Sequence, residues 1–411
     1  MESTSVRSDT SEITGGETDS TDRSTHVAGE RTDSTDGDGP LISFFIPDLT
    51  VGGAEQVTVN IVNGLSARGH NVELLLSRTE GKLQSQIASH VRVVELPPDR
   101  TSVFGVAAHL PALISYIRRT KPAALVPHLS HPSIVCLTIN RFLETETKVI
   151  PTHHSAFTPS TDQSRKDRIV NRLVPHLYPS ADRIIAVSEG VADSIAERTP
   201  VNREDISVLH NPVEIESVQE RAREPVDHRW VEDDDLDVVL FVGRIAEQKD
   251  LETWLRAFER IHESNPDTRG IIAGQGPHRD EILALVEKLA LEDVVSVPGY
   301  VENPFRFMDQ ASVFLLSSQY EGLPTVLIEA LACGCPIVAT DCPSGPREIL
   351  ADGTYGKLVP VGDVTGLADA VSATLADPIA PERLRERANE FRPEAVFDDY
   401  EQFIETYITP A

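Results

Sequence analysis

The sequence predicts an α/β protein made of two doubly wound, Rossmann-like domains in tandem. Short apolar runs alternate with helical patterns from Pro40 onward, and such alternation implies right-handed crossovers between parallel strands. The pattern is interrupted after Asn211-Pro212 and starts again at Val238. Without its first 39 residues, the 411-residue chain is long enough for two domains of about 100–200 residues each.

The segment Met1–Gly39 differs in composition from the rest of the chain. It contains 15 Ser and Thr, 10 acidic residues and 3 Arg, with few apolar side chains. Such a segment cannot bury enough apolar surface to offset the entropy lost on ordering. We therefore expect residues 1–39 to be a disordered acidic tail.

The N-terminal domain is predicted to span residues 40–212. Its first strand, Leu41–Ile46, leads through a Gly-containing turn into a helix with apolar residues spaced by four, which stops at Gly69. Further apolar runs are predicted as strands: Val72–Leu76, Val91–Leu96, Ala123–Val126, Lys148–Ile150, Arg183–Val187 and Ile206–Leu209.

The C-terminal domain is predicted to span residues 213–395, with the acidic run Glu232–Asp235 as a solvated loop. Residues 396–411 are predicted as a final helix that packs back on the N-terminal domain. Two doubly wound domains bind ligands at the carboxyl ends of their strands, so we expect an interdomain cleft. The predicted strands are Val238–Val242, Gly270–Ala273, Val294–Val297, Ser312–Leu316, Pro336–Ala339 and Lys357–Val359.

The charge balance excludes one class of function. The chain has 65 acidic residues against 30 Arg and 7 Lys, a net charge of −28, whereas broad nucleic-acid binding requires a basic footprint. Acidic surface stays hydrated and repels itself less in concentrated salt, which indicates a halophilic protein.

No apolar run reaches the ~18–20 residues of a membrane-spanning helix, and no secretory pattern is visible. We expect a cytoplasmic location.

Two glycines stand between the first strand and the first helix, in Gly52-Gly53-Ala54-Glu55. Backbone N–H groups at such a helix start can approach an anion without a Cβ in the way. The same turn is also common as a purely structural connection. It is not a dinucleotide-binding fingerprint, because no G-x-G-x-x-G follows the strand.

A second pair of charged residues follows a strand of the C-terminal domain. Gly243-Arg244 comes after Val238–Val242, and Lys249 follows five residues later. A guanidinium fork together with a compact ammonium group suits a diphosphate. The alternative is a pair of surface cations matched to Glu247 and Asp250.

The most informative stretch runs from Glu321 to Glu329. Pro324 suits the first turn of a helix, Glu321 precedes that helix, and Glu329 lies inside it among apolar neighbours. A carboxylate in that setting requires a partner, and the vicinal hydroxyls of a ribose would supply one. The alternative is a helix-start Glu followed by an exposed Glu.

Together these segments resemble the retaining glycosyltransferases of family 4, also called group 1 glycosyltransferases, which have the two-domain GT-B fold. The set is specific, although no single segment is. In chain order the matching segments are Gly52–Glu55 with Arg68–His70, Val187-Ser188, Asn211–Val213, Gly243-Arg244 with Lys249, Gly274–Pro277, Glu321–Glu329 and Ala332–Ile349.

The resemblance implies a role for each matching residue of the C-terminal domain. Arg244 and Lys249 would neutralise the donor diphosphate as it leaves, and Glu321 would contact hydroxyls of the transferred sugar. Glu329 would hold the nucleotide ribose. The backbone amides of Gly322-Leu323 would add the positive end of a helix dipole to the phosphate site.

Other implied donor contacts come from both domains. Gly52-Gly53 would reach across the cleft when it closes. Gly243 would also bind the donor, and Gly299-Tyr300 lies in the segment that commonly contacts the base. The resemblance further implies a histidine that faces the sugar, for which we favour His154, with His153 as the alternative.

The resemblance implies a site that works without a metal ion or other cofactor. Asp235-Leu236-Asp237 has the spacing of a metal-binding Asp-x-Asp, but it precedes a strand instead of following one. His128 and His131 lack a nearby third ligand. A basic helix face would either hold anionic lipid or pair with surface acids, and it consists of Arg165, Lys166, Arg168 and Arg172 beside Ile169, Leu173 and Leu177.

The sequence thus predicts an enzyme that moves a hexose or N-acetylhexosamine from a nucleotide sugar to a saccharide or lipid-linked glycan. The stretch Ser344–Ile349 resembles members that build such glycans from UDP-sugars. Two alternatives stay open: a soluble glycoside synthase that needs no lipid, and a nucleotide-sugar-binding protein or epimerase of similar fold. The expected partners include the inner face of the membrane, contacted peripherally, but no nucleic acid.

Overall fold

The computed structural model describes residues 39–50, 52–78, 81–96, 110–143, 145–157, 165–233 and 235–409. The predicted tail, apart from Gly39, lies outside these ranges. Within them the chain forms parallel sheets flanked by helices, so the predicted α/β class is confirmed. No helix of the described part combines the length and the apolar composition that crossing a bilayer would require.

The first sheet consists of β1 (Ile42–Ile46), β2 (Val72–Leu76), β3 (Arg92–Glu95), β4 (Ala124–Pro127) and β5 (Lys148–Val149). The strands are parallel, in the order β3-β2-β1-β4-β5. Strands β1 and β2 are buried along their whole length, as strands of a parallel sheet covered on both faces should be. Their two polar residues pair with each other, because Ser43 Oγ donates to Glu73 Oε1 at 2.8 Å. The order reverses between β1 and β4, the switch point of a doubly wound sheet.

The structure divides what we predicted as one N-terminal sheet. After β5 the chain passes Pro151 and enters a second, smaller sheet formed by β6 (Thr152–His153), β7 (Ile184–Ala186) and β8 (Ile206–Val208), in that order. The predicted strand Lys148–Ile150 ends at Val149 because Pro151 has no N–H to donate to a ladder. The other strand ends in this half lie within one residue of the prediction.

The helices of the N-terminal half begin at glycine or polar caps where the sequence provides them. Helix α1 follows Gly52 as its N-cap, and Ser188 caps α5 by accepting a hydrogen bond from Val191 N at 3.3 Å. The helices are α1 (Gly53–Ala67), α2 (Leu110–Thr120), α3 (Ser130–Phe142), α4 (Arg165–Leu177) and α5 (Glu189–Arg198), with 3-10 turns at Lys82–Gln86, Tyr178–Ser180 and Arg203–Asp205.

The C-terminal half contains the largest sheet of the described chain. Its strands are β9 (Asp237–Val242), β10 (Thr268–Ala273), β11 (Val295–Gly299), β12 (Val313–Leu316), β13 (Ile337–Thr340) and β14 (Lys357–Val359). They are parallel in the order β11-β10-β9-β12-β13-β14, which reverses between β9 and β12. The strand ends lie within two residues of the prediction, the usual uncertainty of such boundaries.

Helices cover both faces of this sheet. Trp254 and Phe258 stack with their ring centroids 5.4 Å apart, and the Trp254 indole N–H donates to Leu315 O at 3.2 Å. The helices are α6 (Ile215–Ala222), α7 (Leu251–Ser264), α8 (Arg279–Lys288), α9 (Phe305–Gln310), α10 (Thr325–Cys333), α11 (Pro346–Ile349), α12 (Val364–Ala376) and α13 (Pro381–Ala388), with 3-10 turns at Glu247–Lys249 and Asn389–Phe391.

The last helix, α14 (Pro393–Tyr407), starts three residues before the predicted 396 and contacts α1. Its apolar residues share one buried cluster with β1, β2 and α1. A Cβ on Gly64 of α1 would lie 2.0 Å from Phe397 Cζ, so this glycine makes room for the aromatic ring. Arg68 adds ion pairs to Asp398 at 3.3 Å and Glu401 at 3.5 Å.

Candidate active site

The candidate site lies where the two large sheets present the carboxyl ends of their strands. Gly52-Gly53 follows β1, beside the switch point of the first sheet. In the second sheet Gly243-Arg244 follows β9, and Glu321 follows β12, on the two sides of its switch point. Doubly wound sheets bind ligands at these positions, so the topology places the predicted residues where a ligand site is expected.

Lys249 and Glu321 form an ion pair at this switch point. Lys249 Nζ lies 2.6 Å from Glu321 Oε1, and both side chains are largely buried. Ser318 Oγ donates to the same oxygen at 2.6 Å, and Gln248 Nε2 donates to Oε2 at 3.2 Å. Three donors therefore fix the direction of the carboxylate.

The turn before α7 holds Lys249 in place. Asp250 adopts a left-handed conformation, with φ of 46°, and caps α7 by accepting a hydrogen bond from Thr253 N at 3.2 Å. Ser317 Oγ donates to Lys249 O at 2.7 Å. The lysine is thus tied through its backbone to the end of β12, the strand that leads to Glu321.

The loop that carries Glu321 is also held from the N-terminal half of the chain. Ala156 N donates to Glu321 O at 3.3 Å, and Ser188 Oγ donates to Gly322 O at 2.9 Å. A Cβ on Gly322 would lie 1.9 Å from His154 O, so only glycine allows this approach. The position of Glu321 therefore depends on both halves of the chain.

The segment after β13 also packs against the loop that carries Glu321. Ser344 Oγ donates to Glu321 O at 2.6 Å. Gly345 has φ of 83°, a left-handed conformation that favours glycine, and a Cβ there would lie 2.7 Å from Gly322 O. This close packing leaves the loop little freedom.

Glu348, in the stretch Ser344–Ile349, forms a second link between the two halves of the chain. One of its oxygens accepts a hydrogen bond from Glu189 N at the start of α5, at 2.9 Å. The other lies 2.6 Å from His210 Nε2. The stretch Ser344–Ile349 therefore acts structurally, by joining the N-terminal half to the loop with Glu321.

The ends of β9 and β10 pack backbone against backbone. A Cβ on Gly274 would lie 1.8 Å from Gly243 O, and one on Gly276 would lie 2.0 Å from Ile245 O. The glycines at these places allow the two strand ends to approach each other. The side chain of Arg244, which directly follows Gly243 in sequence, is exposed at the end of β9 and available to a ligand.

The start of α1 lies within electrostatic reach of Arg244. The Glu55 carboxylate folds back over Gly52, where a Cβ would lie 2.1 Å from Glu55 Oε2. Burial raises the pKa of Glu55, Asp48 adds to the shift, and the Arg244 guanidinium opposes it. A Cβ on Gly53 would meet no described atom within 4 Å, so packing does not require this glycine. An anionic ligand could contact both Gly53 and Arg244.

Glu329 is the middle residue of α10 (Thr325–Cys333). Pro324 is the N-cap of this helix, whereas the sequence predicts this proline within the first helical turn. Burial raises the pKa of Glu329 to about 7, although the guanidinium of Arg221 opposes the shift. The side chain remains partly exposed. A carboxylate in this setting gains from a hydroxyl donor, as a ribose would provide.

Gly299 and Tyr300 lie at the end of β11. Gly299 has φ of 87°, which favours glycine, and its Cβ position is 3.6 Å from Gln275 Nε2. Tyr300 is 60% exposed, and Lys82 Nζ from the N-terminal half lies 5.6 Å from its ring centroid. The exposed part of the ring offers a surface on which a flat ligand group such as a base can stack.

The two candidate histidines have different environments. His153 is 3% exposed, its ring centroid lies 4.3 Å from that of Phe157, and its Nδ1 lies 3.2 Å from Tyr178 OH. His154 is partly exposed, and its Nε2 lies 2.8 Å from His128 Nδ1. Burial lowers the pKa of His153 to about 4 and that of His154 to about 3, so both rings are neutral near pH 7. His153 belongs to the core, and His154 is accessible.

The residues considered for a metal have other partners. His128 Nδ1 lies 2.9 Å from Thr58 Oγ1 and 2.8 Å from His154 Nε2. Asp237, at the start of β9, accepts a hydrogen bond from Asn265 Nδ2 at 3.1 Å. Across the described ranges, no three His, Cys, Asp or Glu side chains are grouped as metal ligands would be.

Sequence reasoning missed several residues that orient the site. Gln248 and Ser318 lie close in sequence to Lys249 and Glu321. Their polar side chains in the loops after strands could have indicated that they hold the Glu321 carboxylate. Ser188 belongs to a matching segment but had no assigned role. His128 was weighed only as a metal ligand, because its contact with His154 depends on the fold.

Two family descriptions match the two halves of the chain. Residues 51–217 match "Glycosyltransferase Family 4", and residues 223–391 match "Glycosyl transferases group 1". Between them the two matches include every predicted site residue. The matches agree with the resemblance that the motifs indicated.

Named relatives match along most of their length. A Campylobacter jejuni protein, N-acetylgalactosamine-N,N'-diacetylbacillosaminyl-diphospho-undecaprenol 4-alpha-N-acetylgalactosaminyltransferase, is 28% identical over 344 residues, covering 82% of this chain and 90% of that protein. The N-acetyl-alpha-D-glucosaminyl L-malate synthase of Bacillus anthracis is 26% identical over 364 residues, covering 86% and 93%. The first is named as a glycosyltransferase, and the second is named as the synthase of an N-acetylglucosaminyl malate.

Solved structures share the fold. Anabaena HepE in complex with UDP superimposes with a TM-score of 0.70 at 16% identity, covering 89% of this chain and 100% of that one. A sucrose-phosphate synthase from Thermosynechococcus elongatus gives 0.73 at 19% identity, covering 89% and 98%. The predicted GT-B fold, with two Rossmann-like domains, is confirmed.

Proposed function

The chain belongs to the group 1 glycosyltransferases of family 4, and we propose that it transfers a hexose or N-acetylhexosamine from a UDP-sugar to a lipid-linked saccharide, with retention of the anomeric configuration. The observation that carries this proposal is the ion pair of Lys249 and Glu321 at a switch point, with Arg244 at the neighbouring strand end. Such a site combines cations for a leaving diphosphate with a carboxylate for the sugar.

The proposed chemistry follows from where charge develops. When the bond between the anomeric carbon and the phosphate oxygen breaks, its electron pair goes to the diphosphate, and Arg244 and Lys249 neutralise the added charge. The acceptor hydroxyl forms its bond to the anomeric carbon on the face that the diphosphate leaves, and its proton passes to the departing phosphate oxygen. Glu321, held by Ser318 and Gln248, orients a hydroxyl of the transferred sugar.

The contacts between the two halves of the chain serve this reaction. The hydrogen bonds from Ala156 and Ser188 to the Glu321–Gly322 loop form only when the two halves meet. Their meeting excludes water from the site, which strengthens each electrostatic interaction and protects the sugar from hydrolysis. We therefore propose that the reactive geometry is completed by closure of the cleft.

The choice of a UDP-sugar rests on three features. Glu329 provides a carboxylate for the two ribose hydroxyls, and the exposed ring of Tyr300 provides a surface for the base. HepE, which shares the fold, is solved with UDP. Because UDP- and GDP-sugars share a ribose and a flat base, a donor panel that includes both tests the choice of uridine.

We also propose that transfer needs no metal ion or other cofactor. Magnesium commonly neutralises a leaving diphosphate where a protein lacks cations of its own. Here Arg244 and Lys249 already provide two positive charges at the strand ends, and the start of α1 adds backbone N–H groups. The chelator EDTA should therefore leave the transfer rate unchanged.

The lipid-linked acceptor is supported by one relative and one surface. The Campylobacter relative is named for an acceptor on diphospho-undecaprenol. In this chain Phe142 at the end of α3 is 79% exposed, and Ile169 on the adjacent α4 is 62% exposed. Arg168 and Arg172 of α4 are exposed beside them. Apolar side chains flanked by arginines suit the surface of an anionic membrane, and we place the enzyme at its cytoplasmic face.

A second candidate function keeps the chemistry but changes the acceptor. The Bacillus anthracis relative, which matches over a similar length, is named for transfer to malate, a small soluble acid. This favours a glycoside synthase that needs no lipid as the alternative. A binding protein or epimerase is disfavoured, because Arg244, Lys249, Glu321 and Glu329 are all present.

A donor panel tests the proposal. The purified protein in molar KCl is offered UDP- and GDP-hexoses and N-acetylhexosamines, with and without a total lipid extract, and released nucleoside diphosphate is measured. Release from one UDP-sugar only with lipid supports the proposal and identifies the sugar. Lipid-independent release to a small acceptor would favour the synthase. No release from any donor, with measurable UDP binding, would contradict enzymatic transfer.

Membrane contact needs a separate test. In molar KCl charge attraction is screened, so exposed apolar side chains must carry much of the binding. We expect Ile169→Asp to reduce co-sedimentation with anionic vesicles strongly. Leu283→Asp, which changes a 37% exposed residue on α8 of the other half, is the matched control and should bind as wild type. Equal binding by both variants would rule out this surface.

A further inference from the structure

Two histidines of the N-terminal half meet beside the proposed site. His128 follows β4 and His154 follows β6, and His128 Nδ1 lies 2.8 Å from His154 Nε2. Their ring centroids are 4.9 Å apart. The same Nδ1 of His128 lies 2.9 Å from Oγ1 of Thr58 on α1. One buried nitrogen therefore connects the helix that begins at Gly53 with the loop that carries His154.

His128 itself is rigidly held. It is 1% exposed, its backbone N–H donates to Phe45 O at 2.8 Å, and its backbone bridges to Thr152 at the start of β6. Its ring centroid lies 5.8 Å from that of Phe44. Since backbone and ring are both packed, the direction in which Nδ1 points is fixed by the fold.

The available protons decide which atoms donate in the hydrogen bonds among Thr58, His128 and His154. Thr58 Oγ1 lies 2.7 Å from Ala54 O, an atom that can only accept, so the hydroxyl donates its one proton to Ala54 O. Thr58 must then accept from His128. Burial lowers the pKa of His128 well below its usual range, with the neighbouring His154 as a second cause, so the ring has one proton and that proton is on Nδ1.

The opposite arrangement is unfavourable. With its proton on Nε2, His128 would bury an N–H group that has no partner among the described residues. A buried donor without a partner is costly, because it loses its hydrogen bond to water and gains none inside the protein. The Nδ1–H form of His128 therefore prevails, and this N–H points at both Thr58 Oγ1 and His154 Nε2.

The tautomer of His154 follows in turn. Its Nε2 accepts from His128, and burial lowers the pKa of His154 to about 3, so the ring is neutral and has its single proton on Nδ1. The nitrogen that carries the proton of a neutral imidazole is set by the hydrogen bond that the other nitrogen makes. His154 can then offer a ligand an N–H donor and no ring acceptor.

We propose that His128 is a positioning residue that fixes His154 in the Nδ1–H tautomer and so makes it a hydrogen-bond donor to a hydroxyl of the transferred sugar. The nature of the ligand rests on the proposed function. The tautomer does not, because it follows from contacts inside the protein. Sugar hydroxyls can both donate and accept, so a fixed donor restricts how the sugar is oriented.

Nitrogen-15 NMR of the full-length protein with labelled histidines tests the tautomer directly. The His154 signals are assigned by their absence in His154→Ala. We expect Nδ1 of His154 to be protonated in the wild type and in His128→Asn, whose amide N–H can take the place of the lost ring donor. In His128→Leu we expect both tautomers. A wild-type His154 protonated on Nε2 would overturn the proposal, and that spectrum decides even if His128→Leu fails to fold.

Kinetics then test the link to the sugar. We expect His128→Leu to lower kcat by about 10-fold or more with little change in the donor KM, and His128→Asn to recover most of the rate. Thermal unfolding of each variant controls for a general loss of structure. Equal loss of kcat in both variants at equal stability would overturn the positioning role. If the wild type transfers no sugar, the proposed function fails, but the NMR result on the tautomer stands.

Discussion

Lys249 and Glu321 lie 72 residues apart in sequence, yet Lys249 Nζ and Glu321 Oε1 are 2.6 Å apart. Lys249 ends the 3-10 turn after β9, and Glu321 lies within the loop between β12 and α10. These strands are neighbours, and the strand order reverses between them. The ion pair is therefore a direct product of the doubly wound topology, and in the proposed reaction it places a cation and a carboxylate beside the bond between the sugar and its diphosphate.

Loss of the Glu321 charge should separate transfer from donor binding. Glu321→Gln keeps the size of the side chain, and we expect the transfer rate to fall at least about 10²-fold. Binding of UDP should be at least as tight as in the wild type, because Arg244 and Lys249 remain and Lys249 loses its intramolecular partner. Release of UDP and calorimetric titration measure the two effects.

Ser318→Ala is the matched control for that experiment. It removes one of the three donors to the Glu321 carboxylate and should slow transfer by only about 10-fold. Full transfer by Glu321→Gln would remove Glu321 from the mechanism.

Glu329 should make the ligand-free enzyme less stable as pH rises. Its carboxyl group has an ordinary pKa of 4.5, and burial raises its pKa in the folded state to about 7. Between these values the folded state keeps a proton that the unfolded state releases, so the stability present below pH 4.5 is lost as pH rises through about 7. Glu329→Gln should therefore be more stable than the wild type at pH 8, by roughly 1–3 kcal/mol.

Thermal unfolding at pH 5 and pH 8, without nucleotide, measures this difference, which should nearly vanish at pH 5. The same variant should bind UDP more weakly than the wild type at pH 8, because an amide accepts the ribose hydroxyls less well than a carboxylate. A variant that is less stable than the wild type at pH 8 would show that the carboxylate is needed for folding.

Two glycine substitutions should distinguish packing from ligand approach. In Gly322→Ala the new Cβ would lie 1.9 Å from His154 O, so we expect the two halves of the chain to separate and transfer to fall by about 10²-fold or more. UDP binding to the C-terminal half should persist. Transfer assays and small-angle scattering, which detects an opened cleft, measure the effect.

In Gly53→Ala the new Cβ meets no described atom within 4 Å, so stability should not change. Weaker donor binding by this variant would show that the ligand approaches the backbone there. A Gly322→Ala enzyme with the wild-type rate would contradict the account of how the loop with Glu321 is held.

The last helix should contribute strongly to stability through one aromatic ring. Phe397 fills the space beside Gly64 of α1 and is 3% exposed. We expect Phe397→Ala to lower the free energy of unfolding by roughly 3–5 kcal/mol. Asp398→Ala, on the same helix, removes a side chain that is 75% exposed and should cost at most about 1 kcal/mol. Denaturant unfolding compares the two, and similar small effects would mean that α14 contributes little.

Much of the fold was predictable because its signals are local. The apolar strands and the glycines that end helices stand in the sequence where the structure has them, within one or two residues. The smaller sheet that begins at β6 was not predicted. The break at Pro151 is visible in the sequence, but which strands pair beyond it depends on contacts distant in the chain.

The sequence indicates which residue types form the candidate site, but not which residues hold them in position. Arg244, Lys249 and Glu321 come after strands, where doubly wound sheets bind ligands, and their charges suit the diphosphate sugar that we propose as donor. By contrast, Ser188 donates to Gly322 from 134 residues away, and His128 contacts His154 although the two residues follow strands of different sheets. Only the folded chain shows such partners.

The anomeric configuration of the product reports on the proposed retaining transfer at the site of Lys249 and Glu321. The donor found in the panel, an α-linked UDP-sugar, is incubated with the enzyme and its acceptor, and the anomeric proton of the transferred sugar is followed by NMR from the first turnover. We expect an α-linked product from the wild type and the same product at least about 10²-fold more slowly from Glu321→Gln. A β-linked product, or equal transfer by the two proteins, would contradict the proposal.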